Sequence, residues 1–186
     1  MTPSHLLIPT YRNLLTALGN WLRKAAEQVD DADSLMAERL APDMFPLSTQ
    51  IRFACVQAHE GGHRLMGNAI PGTVEDLLNE GRAGGEQPGT LAQALIRIDE
   101  TLAALDGCDT AAMDVAGDKP LGLELPIGIA FDFDGETYVR DWALPQFYFH
   151  IMTAYSILRH KGAELGKADY VAHMFAYLRK TPETAG

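Results

Sequence analysis

The chain has 186 residues, 47% of them apolar, enough to bury a full core and better suited to one domain spanning 1–186 than to two. Fifteen basic residues against 25 acidic ones give a formal net charge of −10, which disfavours nucleic acid and anionic membrane as partners because both would repel it. No run of about 18 apolar residues occurs, and the first apolar run, Leu6, Leu7 and Ile8, is too short for a signal peptide, so a cytoplasmic protein without a membrane span is expected.

In chain order, Tyr11, Leu14, Leu15, Leu18, Trp21, Leu22 and Ala25 recur at steps of three and four and predict an amphipathic helix over 10–29. Asp30, Asp31 and Asp33 close it, and 34–40 suit a short helical turn. The stretch LAPDMFPL (40–47) holds two prolines and leads into a second helix from 45 or 47 to 66, with Asp43 or Ser48 as a cap and Gly67 as the stop. Residues 67–89 are rich in Gly and Pro and read as a long crossover with at most a short helix at 74–79. Thr90 caps a third helix carrying Leu91, Ala94, Leu95, Ile98, Leu102 and Leu105, ended by Gly107.

The period then changes. In LGLELPIGIAFDF (121–133) every odd position is apolar, which predicts a two-stranded hairpin broken by Pro126 and Gly128, with Asp134 and Gly135 turning the chain out of it. The last long helix is expected from 144 or 145 to 161 with Phe147, Ile151, Ala154, Tyr155 and Leu158 inward, followed by a short helix over 170–178. Of the two cysteines, which could form at most one bridge, both are expected to be reduced thiols, with Cys55 packed against the core.

The most suggestive motif is HEGGH at 59–63. Two histidines four apart on a helix can grip one ion while the glutamate between them activates a bound water, as in zinc-dependent hydrolases. With Leu47 set at zero on a helical wheel, Ile51, Ala54, Ala58, Gly61, Gly62 and Leu65 form the buried stripe, whereas His59 and His63 fall about 120 and 160 degrees away and Glu60 also points outward. Each glycine costs about 1 kcal/mol in a helix interior and loosens the register that two ligands need. His59 and His63 are therefore rejected as metal ligands, and Gly61 and Gly62 are assigned to close helix packing.

His150 is the stronger candidate, about 60 degrees from Phe147 at the edge of the buried stripe of the last helix. It can serve as an acid/base or ligand contact, or be a satisfied interface histidine. His160 lies on the opposite side. Tyr148 and Tyr155 flank the stripe, and Asp43 and Phe45 lie where a carboxylate and an aromatic ring could orient a histidine or a ligand.

The stretches LAPDMFPL (40–47), ELPIG (124–128) and ALPQFYFHIMTAYSILRHKGAELGKADY (143–170) resemble a bacterial family of proteins of unknown function in the DinB-like, or YfiT-like, metalloenzyme superfamily. The resemblance implies an all-α four-helix bundle of up-down-down-up topology, here with the β-hairpin inserted before the last long helix, often dimeric and with any site in its interior. Members of the wider superfamily bind a divalent metal through three histidines, one on the second helix and two spaced four apart on the fourth. Here Gln146 and Ala154 stand four before and four after His150, so that triad does not carry over, and no cofactor is expected. The expectation is a small-molecule site around His150 with Asp43, Phe45, Tyr148 and Tyr155 in a homodimeric bundle. The alternatives are a non-catalytic interaction bundle and a metal-dependent transferase or hydrolase.

Overall fold

In the computed structural model, which describes residues 2–179, four long helices form the bundle: α1 (Pro3–Ala26), α2 (Leu47–Met66), α4 (Leu91–Asp106) and α7 (Leu144–His160). Shorter elements join them: α3 (Gly72–Ala83), α5 (Thr110–Ala116), strands β1 (Pro120–Glu124) and β2 (Ala130–Asp134), one helical turn α6 (Gly135–Thr137), a π-helical stretch Tyr138–Ala143, and α8 (Lys167–Tyr170) followed by a 3-10 turn at Ala172–Tyr177. Among the described residues no helix is long and apolar enough to cross a membrane.

Cross-helix contacts fix the directions. Tyr11 meets Phe147 and Trp21 meets Tyr155, so α1 and α7 are parallel. Arg12 pairs with Asp106 and Arg23 reaches Asp99, so α1 and α4 are antiparallel. Cys55 Sγ faces the Arg97 carbonyl, and three residues earlier Arg52 faces Gly89 and Gln93, so α2 runs with α4. Gln50 meets His150 while Leu65 lies against Gly135, so α2 opposes α7. The order is up, down, down, up.

Local chemistry sets the ends. Thr90 and Gln93 form a reciprocal capping box at the start of α4, and Gly67, with φ of +68°, closes α2 in the left-handed conformation that a glycine adopts without strain. No side chain caps α2, whose first residue follows Pro46, so neither Asp43 nor Ser48 plays the expected part. The hairpin pairs Leu121 with Phe133 and Leu123 with Phe131, and Asp134 accepts the Thr137 amide as the chain turns into α6.

Three expectations are corrected. α1 begins at Pro3 rather than residue 10, because Pro3 suits a first turn and Pro9 is carried inside the helix at the loss of one backbone hydrogen bond. α3 is a full 12-residue helix rather than at most a short one over 74–79, anchored by burial of Val74, Leu77 and Gly81 against α2. α5, which supplies Met113 and Ala116 to the core, occupies a stretch where no helix is predicted. α2 is consequently covered by α1, α3, α4 and α7 together, and its buried residues extend well beyond one stripe. Cys55 is fully buried and free, with its thiol pushed up to about 11 by burial, and Cys108 is free as well.

Candidate functional site

His150 sits one turn beyond Pro145 on α7 and reaches across to α2, where its Nδ1 lies 2.9 Å from Gln50 Oε1. Gln50 is 3% exposed, and its amide nitrogen donates to the Phe45 carbonyl at 3.3 Å. A carbonyl can only accept, so the Phe45 contact requires the NH2 end of the amide and turns its oxygen toward the imidazole. Nδ1 must then carry the proton. The chain from Phe45 carbonyl to Gln50 amide to His150 fixes the tautomer and leaves Nε2 with a lone pair, and among the described residues Nε2 makes no hydrogen bond yet is not sealed from solvent.

Burial lowers the His150 pKa from 6.5 to about 4, and no charged neighbour opposes it. The imidazole is therefore neutral at pH 7. Phe53 and Phe149 meet the ring edge-on at 5.4 and 5.3 Å, and Phe45 in turn packs edge-on against Phe53 at 5.7 Å. Phe45 and Phe149 are more than half exposed, so the aromatic collar opens to solvent on one side.

Of the other predicted site residues, only Phe45 joins His150. Asp43 is exposed and makes no hydrogen bond or ion pair among the described residues, and Gln50 is the residue that orients His150. Tyr148, two residues before His150, faces another side of α7 and lines a 260 Å³ cavity with Leu14, Tyr170 and His173. Tyr155 packs edge-on against Trp21 at 5.3 Å and Tyr170 at 6.4 Å. Both tyrosines therefore serve the α1–α7–α8 seam.

The HEGGH residues are not on a solvated face. His59, Glu60 and His63 are half-buried, and His59 Nε2 and His63 Nδ1 are enclosed without a hydrogen-bond partner. Burial, then the neighbouring His63, lowers the His59 pKa, against a smaller opposite pull from Glu100 on α4. The outward phase read from a single stripe fails because α4 covers that side of α2 as well. Glu60 is committed to Arg64, which donates to both its oxygens at 2.9 and 3.2 Å, so it does not stand over the histidines. Gly61 and Gly62 do lie inward: Tyr11 of α1 packs on Gly61, and the Met113 sulfur comes within 3.5 Å of where a Gly62 side chain would begin.

The profile of a domain of unknown function, DUF1993, matches residues 5–171 of the chain. The chain belongs to the DUF1993 family. Among solved structures it is similar to a DinB family member protein from Shewanella denitrificans, with 32% identity, 98% of this chain and 95% of that one covered, and a TM-score of 0.71. No curated protein matches. The DUF1993 chain thus has the DinB-like bundle that its sequence resembles.

The three-histidine ion of the wider superfamily does not fit the residues present. At the α2–α7 contact the DUF1993 chain offers one imidazole and one amide, already bonded to each other. Among its described residues no group of three or more His, Cys, Asp or Glu is arranged to hold a metal ion.

Arg52, Glu80 and Arg97 form a second polar cluster that the sequence reading did not foresee. Arg52 is 4% exposed, although the wheel of α2 places it opposite the apolar stripe. Its Nε donates to Glu80 Oε2 at 3.2 Å and its Nη1 to the Ser48 carbonyl at 3.3 Å. Arg97 of α4 grips the same Glu80 through Nε and Nη2. Burial raises the Glu80 pKa, but hydrogen bonds from the two guanidiniums outweigh it and hold the carboxyl below its usual range. A short helix ending at 79, as the sequence predicts, leaves Glu80 outside it, whereas the full α3 brings Glu80 over α2.

Proposed function

We propose that the chain binds a small molecule at the open edge of the aromatic collar between α2 and α7, with His150 Nε2 accepting a hydrogen bond from the ligand. The observation that carries this reading is the Phe45–Gln50–His150 relay, which commits a neutral imidazole to one tautomer and leaves its acceptor nitrogen unused. The walls are Phe45, Phe53 and Phe149, so the ligand is a compact, uncharged, largely apolar molecule with one O–H or N–H donor.

A binding role is favoured over acid/base catalysis by basicity. A catalytic base works best with a pKa near the working pH, and an imidazole at about 4 is a good acceptor but a poor proton sink at pH 7. Neither the cavity beside Tyr148 nor the one beside Arg52 reaches His150, which agrees with a ligand held at an edge rather than enclosed.

Phenol is the direct probe. Titrated into 15N-labelled protein, it is expected to shift the Nε2 resonance of His150, whereas anisole, which lacks the donor, binds about fivefold more weakly, the worth of one hydrogen bond. Equal affinity for the two, or a phenol response unchanged in His150→Phe, would overturn the reading.

A further inference from the structure

We infer that the cavity between α2, α3 and α4 is a binding site for a small organic carboxylate, with Arg52 as its anchoring cation. The cavity has a volume of 580 Å³, within the usual range for small-molecule sites, and is lined by Arg52, Glu80, Gln87, Gln93, Ile96 and Arg97. It shares no lining residue with the aromatic collar around His150 and does not depend on that site.

One donor of Arg52 is unused. Arg52 is nearly completely buried, and two of its three nitrogens are engaged, by Glu80 and by the Ser48 carbonyl. The third, Nη2, makes no hydrogen bond among the described residues, yet it is not enclosed, and Arg52 lines the cavity. A guanidinium is costly to bury and gives up hydration for each donor left idle, so an open Nη2 in a recess is a site for an anionic acceptor. Gly89 keeps the approach clear. With φ of +71° it adopts a conformation natural to glycine, and a Cβ there would crowd Gln93 Oε1 at 2.6 Å and Arg52 Nη2 at 3.1 Å.

Charge and polarity define the ligand. Arg97 spends its guanidinium on Glu80 and, through Nη1 at 2.8 Å, on Glu100, so Arg52 is the cation of the lining with a donor to spare. Gln93 uses its amide oxygen on the Thr90 N–H, which leaves its NH2 as a donor, and Gln87 adds a second amide without a side-chain partner among the described residues. Ile96 and Ala83 supply an apolar wall. One open guanidinium nitrogen, amide donors and an apolar wall match a monoanionic carboxylate with a hydrophobic body better than a doubly charged phosphate.

Glu80 holds both arginines in place and also repels an incoming anion. Replacing it with glutamine keeps the shape and removes that repulsion, so E80Q is expected to bind benzoate about tenfold more tightly than the unmodified chain. The experiment is calorimetric titration of both proteins with benzoate, with its neutral analogue benzamide and with inorganic phosphate, folding being checked by circular dichroism. Benzoate binding that strengthens in E80Q, weakens with added salt and exceeds benzamide binding confirms the site. Equal affinity for benzoate and benzamide, preference for phosphate, or no benzoate binding by folded E80Q overturns it. R97Q, which is less buried than an Arg52 variant and easier to keep folded, is expected to weaken benzoate binding; an unchanged affinity there also counts against the site.

Discussion

The ring of Tyr11 in α1 rests directly on the backbone of Gly61 in α2, so closely that a Cβ at position 61 would collide with the Tyr11 hydroxyl and come within 3.1 Å of two ring carbons. Tyr11 is fully buried and its hydroxyl has no hydrogen-bond partner. Gly61→Ala should therefore destabilise the fold by about 1–3 kcal/mol, because helix propensity gains less than overpacking costs. Tyr11→Phe removes the clashing oxygen and an unsatisfied polar atom together, so it should be near neutral alone and should restore part of the Gly61→Ala loss. Urea unfolding of the two single variants and the double variant measures this coupling; additive losses would refute it.

Stability should depend on pH through His150. Its pKa is 6.5 in the unfolded chain and about 4 when folded, so between these values the unfolded state binds the extra proton. The neutral folded form is thus fully favoured above pH 6.5 and loses stability as the pH falls through 6.5 toward 4. The loss should be on the order of 2–3 kcal/mol. The stability difference between the unmodified chain and His150→Gln, followed by urea unfolding from pH 7.5 to 4.5, isolates this from other titrating groups. A difference that stays flat would mean that the imidazole is not desolvated.

The tautomer of His150 is separately measurable. Long-range 1H–15N spectra at pH 7 should show a protonated Nδ1 and a bare Nε2, the reverse of the form usual for free histidine. Gln50→Leu removes the acceptor and should abolish that preference while costing about 1–2 kcal/mol for the unpaired N–H. Persistence of the Nδ1–H form in Gln50→Leu would show that another group sets it.

At the start of α4, Thr90 accepts the Gln93 N–H and Gln93 returns the bond to the Thr90 N–H. Thr90→Ala should cost about 1 kcal/mol in chemical unfolding. The Gln93 side chain, which also lines the cavity, accepts from the backbone N–H of residue 90, and the substitution keeps that group, so benzoate binding should change little in Thr90→Ala, as in Thr90→Ser.

The four long helices and the hairpin were legible because each carries one periodic apolar face and ordinary end signals, such as Thr90 before α4 and Gly67 after α2. α3 was legible only in part, since Gly72, Gly81 and the surrounding glycines and prolines mask a helix stabilised by packing on α2. The burial of Arg52, His59 and His63 was not legible, because a wheel assumes one buried stripe and α2 is covered on several sides. His150 was found by its phase, and Gln50 was missed although it lies at a comparable stripe edge, about 60 degrees from Leu47. An amide attracts no notice in a search for titratable groups, yet it decides which nitrogen of the histidine is free.

Ahead of α7, the π-helical stretch Tyr138–Ala143 gives way to α-helix beside Pro145, which has no N–H to offer the Asp141 carbonyl. A π turn holds one more residue than an α turn, so everything beyond it is rotated by about 100 degrees relative to an unbroken helix starting at the Asp134 cap. The aim of His150 at Gln50 is therefore set by counting along the chain. Deleting one residue between 138 and 143 would restore a regular ladder while swinging the imidazole more than a quarter-turn off its partner, a change of bearing with no residue of the site substituted.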